Sequence, residues 1–152
     1  MTVGLDDDIA ILSAAPLFRF MGRDALRLLC FAAERRSLAA GDVLYARDER
    51  ADGGFVVLTG AIAVAPRRAG GEPVVAGPSA LIGRLSLFLR GERPSEARAS
   101  VPSEVLRITP TLMRRVLQEF PDAAAAIEAD LTEDLVAFTR DLDGVRPRFE
   151  GP

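Results

Sequence analysis

Hydrophobic and polar positions fall into three textures along the chain. From Asp6 to Ala33 the apolar residues recur at helical spacing. Asp6-Asp7-Asp8 places carboxylates at the positive end of a helix carrying Ile9, Ile11 and Leu12, and Pro16-Leu17-Phe18 interrupts it. Gly22-Arg23-Asp24 then opens a second helix with Leu26, Leu28, Leu29, Cys30 and Ala33 on its apolar side. From Arg35 to Ile108 the texture changes to short runs separated by Gly, Asp and Pro. Arg36-Ser37-Leu38 and Val43-Leu44-Tyr45 read as strands around the turn Ala40-Gly41-Asp42, and Asp48 to Gly54 reads as a polar loop. Phe55 to Leu58 and Ala61 to Val64 flank Thr59-Gly60 at the spacing of a hairpin. Arg67 to Glu72 is a turn before the strand Pro73-Val74-Val75, and Ala97 to Val101 and Glu104 to Ile108 alternate as two more strands. Many short strands at close spacing predict an antiparallel β-roll or jelly roll, mainly β with flanking helices, rather than a parallel sheet.

Helices return at Thr109-Pro110, a capping residue followed by proline at the first helical position, with Leu112, Val116, Leu117 and Phe120 on the apolar side. Pro121-Asp122 starts the last helix, where Ile127, Leu131, Leu135, Phe138 and Leu142 form one stripe at steps of three and four. Such a stripe suits a seam with a second copy, and it also suits packing on the chain's own roll. The expected organisation is one domain over 1–144, with helices over about 6–33, the roll over about 35–108 and helices over about 110–143, then a flexible tail at 145–152.

Composition narrows the functional classes. The chain has 152 residues, a formal net charge of −3 and no histidine, and its one cysteine is Cys30. Ser–His and Cys–His nucleophilic pairs, histidine bases and the usual transition-metal sites are thereby excluded, and an enzyme is not expected. The acidic pairs Glu133-Asp134 and Asp141/Asp143 read as solvated helix charge rather than as catalytic carboxylates. Cys30 sits among apolar neighbours and reads as a buried small hydrophobe. No disulfide can form within the chain, and no apolar run approaches the roughly 18 residues of a membrane span, which together point to the cytoplasm. All 19 basic residues are arginine, which reads as a GC-rich, bacterial genome.

The candidate chemistry gathers in Ala76 to Arg98. Leu81-Ile82-Gly83-Arg84-Leu85-Ser86-Leu87 is an apolar run broken by one glycine and one arginine, and Arg93-Pro94-Ser95-Glu96 follows. Gly83 permits a backbone turn that a Cβ would resist, and a helical turn starting there would aim free N–H groups at an anion. Arg93, with its planar fork of donors, is the side chain expected to complete such a site.

These residues resemble the phosphate cassette of the cyclic-nucleotide-binding domain of the Crp/Fnr (catabolite activator-like) superfamily, whose pattern runs Phe-Gly-Glu-Leu-Ala-Leu, a variable turn, then Arg-Ser/Thr-Ala. The resemblance extends to Pro16-Leu17-Phe18, Gly41-Asp42-Val43-Leu44-Tyr45, Asp52 to Gly60 and Ser103-Glu104-Val105-Leu106. Asp48 departs from a glycine in a tight turn, and Asp tolerates left-handed backbone better than most residues. The resemblance implies a ligand site at Gly83, Arg84, Leu85, Ser86, Arg93, Pro94 and Ser95 and a homodimer through the last helix, and the expected mechanism is coupling between the cassette and that helix, passed to a partner protein.

Two departures fall in the cassette. Arg84 stands where the family's glutamate accepts a hydrogen bond from the ribose 2′-hydroxyl, and arginine has no acceptor. Pro94 stands where a Ser or Thr helps hold the phosphate, and proline supplies neither hydroxyl nor N–H. The expectation is a degenerate pocket that does not bind cAMP or cGMP tightly. Arg84 would then swing outward to Glu92 or Glu96. Alternatively Arg84 and Arg93 both face inward, and the site is a working receptor for a cyclic nucleotide or another anion. No metal or cofactor is expected, since the haem and iron–sulfur clusters of related sensors lack their usual ligands here. The regulators of this superfamily continue into a helix-turn-helix. This chain is expected to stand alone, and its acidic end, with nine carboxylates and three arginines from Glu119 onward, argues against DNA binding.

Overall fold

The computed structural model describes residues 4–66 and 70–132. Helix α1 (Leu5–Ser13) starts where the Asp7 carboxylate accepts the Gly4 N–H at 3.3 Å, and α2 (Arg23–Ala32) follows extended Gly22. Between them Pro16-Leu17-Phe18 ends α1's neighbourhood in a short 3₁₀ turn at Phe18–Phe20. Helix α3 (Pro110–Glu119) is capped as expected, with Thr109 Oγ1 accepting the Leu112 N–H at 3.1 Å. Residues 121–132 form the described part of the final helix.

Ten short strands lie between α2 and α3: β1 (Glu34–Leu38), β2 (Val43–Tyr45), β3 (Arg50–Ala51), β4 (Gly54–Thr59), β5 (Ile62–Val64), β6 (Val74–Ala76), β7 (Leu81–Ile82), β8 (Gly91–Glu92), β9 (Ala97–Ala99) and β10 (Ser103–Ile108). They make two four-stranded sheets, β1-β10-β4-β7 and β2-β9-β5-β6, and a ribbon of β3 with β8. All the pairings are antiparallel, as the sequence reading expects of a β-roll.

Two local expectations are corrected. Phe55–Leu58 and Ala61–Val64 do not form a hairpin. β4 pairs with β10 and β7, whereas β5 pairs with β6 and β9 in the other sheet. Gly60, at φ 88°, turns the chain from one sheet to the other, and a Cβ there would stand 2.6 Å from the Pro102 carbonyl oxygen. The segment Asp48 to Gly54 is not all loop, because β3 lies inside it and pairs with β8. Asp48 adopts φ 66°, so the tight turn survives without glycine.

Strand β4 buries both faces, which explains its continuous apolar run. Val56 and Leu58 join Leu12, Phe18, Leu29, Leu106, Met113 and Ile127 in a core between roll and helices. Phe55 and Val57 face the other way, joining Leu44, Tyr45, Ile62 and Val105 inside the roll. Each such side chain contributes about 1.5–3 kcal/mol by leaving water. The cassette hangs on the inner end of β4, where β7 pairs Phe55 with Ile82.

Candidate functional site

Strand β7 ends at Ile82, and Gly83 then takes the left-handed conformation, φ 77° and ψ 43°. A Cβ on Gly83 would stand 2.7 Å from Arg93 Nη1, so both the backbone and the space require glycine. The chain continues as a 3₁₀ turn, Arg84–Leu87, anchored by fully buried Leu87.

Arg93 is only 4% exposed. Its Nη2 donates to the Gly53 carbonyl at 2.7 Å and its Nη1 to Ser86 Oγ at 3.3 Å. The guanidinium carbon lies 4.4 Å from the centre of the Tyr45 ring and 5.5 Å from that of Phe55. Burial pulls the arginine's pKa down, with Tyr45 and then Glu49 opposing, and burial pushes the Tyr45 phenol up. Nε is buried and has no hydrogen-bond partner. None of the ion pairs among the described residues includes Arg93. It is a buried cation without a carboxylate in contact.

Arg84 takes neither expected carboxylate. Its Nη2 donates to Asp130 Oδ2, 3.0 Å away on the final helix. Glu96 is engaged instead by Arg98 at 2.8 Å. Asp130 sits one helical turn from Ile127, on the side of the helix that packs inward, so its carboxylate reaches the cassette where Glu92 and Glu96 do not. Arg19, in the first 3₁₀ turn, lies 3.8 Å from the other Asp130 oxygen. Three separated parts of the chain thus meet at Asp130.

Beside the cassette lies an open cavity of about 810 Å³ bounded by β6, β7 and the 3₁₀ turn. Gly83, Arg84, Leu85, Ser86, Arg93, Pro94 and Ser95 all line it, so the seven predicted site residues are brought together. Among the described residues no group of three His, Cys, Asp or Glu side chains could hold a metal ion.

Residues 35–120 match the sequence profile of the cyclic nucleotide-binding domain. The chain belongs to that family. A cyclic nucleotide-binding-like protein from Brucella abortus is 36% identical, with 74% of this chain and 99% of that one covered, at a TM-score of 0.65. The N-terminal domain of a transcriptional regulator from Streptomyces coelicolor is 26% identical over 87% of this chain and 94% of that one, at a TM-score of 0.78. The catabolite activator protein of Thermus thermophilus shares the fold at 23% identity, 87% and 63% coverage and a TM-score of 0.70. No curated protein matches the chain. The cyclic nucleotide-binding domain is thus the family, and its structural neighbours are of the Crp/Fnr type.

Of the expected seam, Ile127 is buried in the chain's own core and Leu131 packs against it. Leu135, Phe138, Leu142 and the tail lie outside the described residues. Sequence reasoning missed Asp130 and Arg19 as partners of the cassette. An acidic residue three positions after Ile127 on the same helix was the available signal for Asp130. It also missed Gly53, between β3 and β4, and Tyr45, at the end of β2, which hold Arg93 from distant parts of the chain and leave no local pattern.

Proposed function

We propose that this cyclic nucleotide-binding domain is a regulatory module, not an enzyme, whose cassette does not hold cAMP or cGMP tightly and which signals through a partner protein. The observation that carries this reading is the Arg84–Asp130 pair. In the resemblance drawn from sequence, position 84 should present an acceptor to a ribose hydroxyl. It presents a guanidinium whose partner is on the final helix. A sugar hydroxyl left unpaired there would cost about 1–3 kcal/mol, and Pro94 removes a further donor. The same pair connects the cassette to the final helix through the chain's own side chains, which is the coupling a regulatory module needs. The carboxylate excess from Glu119 onward favours a protein partner over the phosphate backbone of DNA. Among the described residues no helix is long and apolar enough to cross a membrane, in keeping with action in the cytoplasm. With Ile127 and Leu131 engaged internally, a homodimer seam would fall to Leu135, Phe138 and Leu142.

Isothermal titration of the protein and of its Arg84→Glu variant with cAMP and cGMP tests this. The natural protein should give no saturable heat in the micromolar range, and the variant, which restores an acceptor, should bind more tightly. Micromolar binding by the natural protein overturns the proposal.

A further inference from the structure

The cavity beside the cassette is lined by apolar residues and by Arg84, Arg90, Glu92 and Arg93, of which Arg93 is the buried one. Its guanidinium has no carboxylate in contact and its Nε is unpartnered. Burying a cation in that state is costly unless something neutralises it, so an anion is its natural complement. Glu49 and Asp52 favour the cation only at longer range. The Nη1 bond to Ser86 is the longer of its two, at 3.3 Å, and is the one an anionic oxygen would replace.

The walls set the rest of the ligand. Val74 is in register with Val64, two residues from the Ile62–Ala76 pair. Side chains of directly opposed residues share a sheet face, so Val74 points to the same side as Ile62, into the roll. Yet Val74 is 70% exposed, and across the cavity Leu85 and Leu89 are 64% and 61% exposed. Val74, Leu85 and Leu89 thus leave apolar surface uncovered along the cavity. Arg90 and Glu92 also line the cavity, both exposed and of opposite sign, and they offset each other at the rim. Arg84 lines the cavity as well, with its guanidinium paired to Asp130, so Arg93 is the buried lining cation with no carboxylate in contact, which calls for a single negative charge. No carboxylate at the cassette turn stands ready for sugar hydroxyls, because position 84 is arginine and is tied to Asp130.

We infer that the cavity takes a small organic monocarboxylate with an apolar body, its carboxylate on Arg93 and its body against Val74, Leu85 and Leu89. The inference rests on the reading that the cassette rejects cyclic nucleotides. The test is calorimetric titration of the full chain with octanoate and with benzoate. Octan-1-ol and benzamide serve as uncharged matches, and cAMP and cGMP are run alongside. Octanoate or benzoate should bind saturably and raise Tm, while the uncharged matches bind at least tenfold more weakly. Val74→Glu, on an exposed wall position, should leave the free protein's Tm unchanged and weaken the carboxylate at least tenfold. Arg93→Gln should abolish saturable carboxylate binding, and Val74→Glu remains informative if that variant does not fold. Absence of saturable binding by both carboxylates overturns this inference and leaves the proposed function standing. Equal binding by the uncharged matches also overturns it. Micromolar binding of cAMP or cGMP overturns the proposed function and this inference together.

Discussion

Removing the Arg84–Asp130 pair should loosen the final helix by a measurable amount. The charged atoms are 3.0 Å apart, and the two side chains are 32% and 18% exposed, so the pair is neither open to solvent nor sealed from it. Exposed pairs couple by about 0.2–1 kcal/mol, and removing one partner of a fully buried pair costs about 3–5 kcal/mol. An intermediate position gives an expected coupling of about 1–2 kcal/mol. Arg84→Met and Asp130→Leu, made singly and together, form the double-mutant cycle that isolates this term from the Asp130 contact with Arg19. Urea unfolding at low salt measures each corner, and the coupling corresponds to roughly 2–8 °C in Tm for a domain of this size. Raising the salt should reduce the coupling only partly, since half-buried charges are screened less than exposed ones. Additivity of the two substitutions to within about 0.3 kcal/mol would refute the claim that the pair joins cassette and helix.

Other consequences follow from single positions. Gly83→Ala places a methyl group 2.7 Å from Arg93 Nη1 at φ 77°, and should cost about 2 kcal/mol or more in urea unfolding; a neutral result would mean that the turn can relax. Leu58→Ala opens a cavity between roll and helices at a fully buried site and should cost about 2–5 kcal/mol, whereas a loss under 1 kcal/mol would contradict the packing described. Burial, then the nearby Asp8 carboxylate, push the Cys30 thiol up to about 11, with Arg35 opposing. The neutral thiol is favoured, so at pH 8 about 0.1% is thiolate, against about a quarter for a free cysteine. Alkylation of the folded protein should therefore be over a hundredfold slower than in urea, and equal rates would refute the burial.

Local chemistry made most of the fold legible. Thr109-Pro110 announces α3, and Gly22 announces α2, because capping and proline preferences act within one turn. The inner and outer faces of β4 were not separable from its sequence, since both are buried and the run is uniformly apolar. The spacing around Thr59-Gly60 suggests a hairpin, but strand partners in a roll are chosen by contacts far along the chain, here β10 and β9. In the site, Gly83 and Arg93 were legible from their own backbone and donor chemistry. The partner of Arg84 was not: Glu92 and Glu96 are near in sequence, whereas Asp130 is brought close only by packing of the final helix.

The Arg84–Asp130 bond ties the final helix to the cassette, and the proposed function requires that this tie hold without a nucleotide. Amide hydrogen exchange over residues 121–132, in the free protein and with saturating cAMP, tests it most directly. Slow exchange in the free protein, unchanged by cAMP and lost in Arg84→Met, is the predicted result. Fast exchange that slows only when cAMP is added would contradict it.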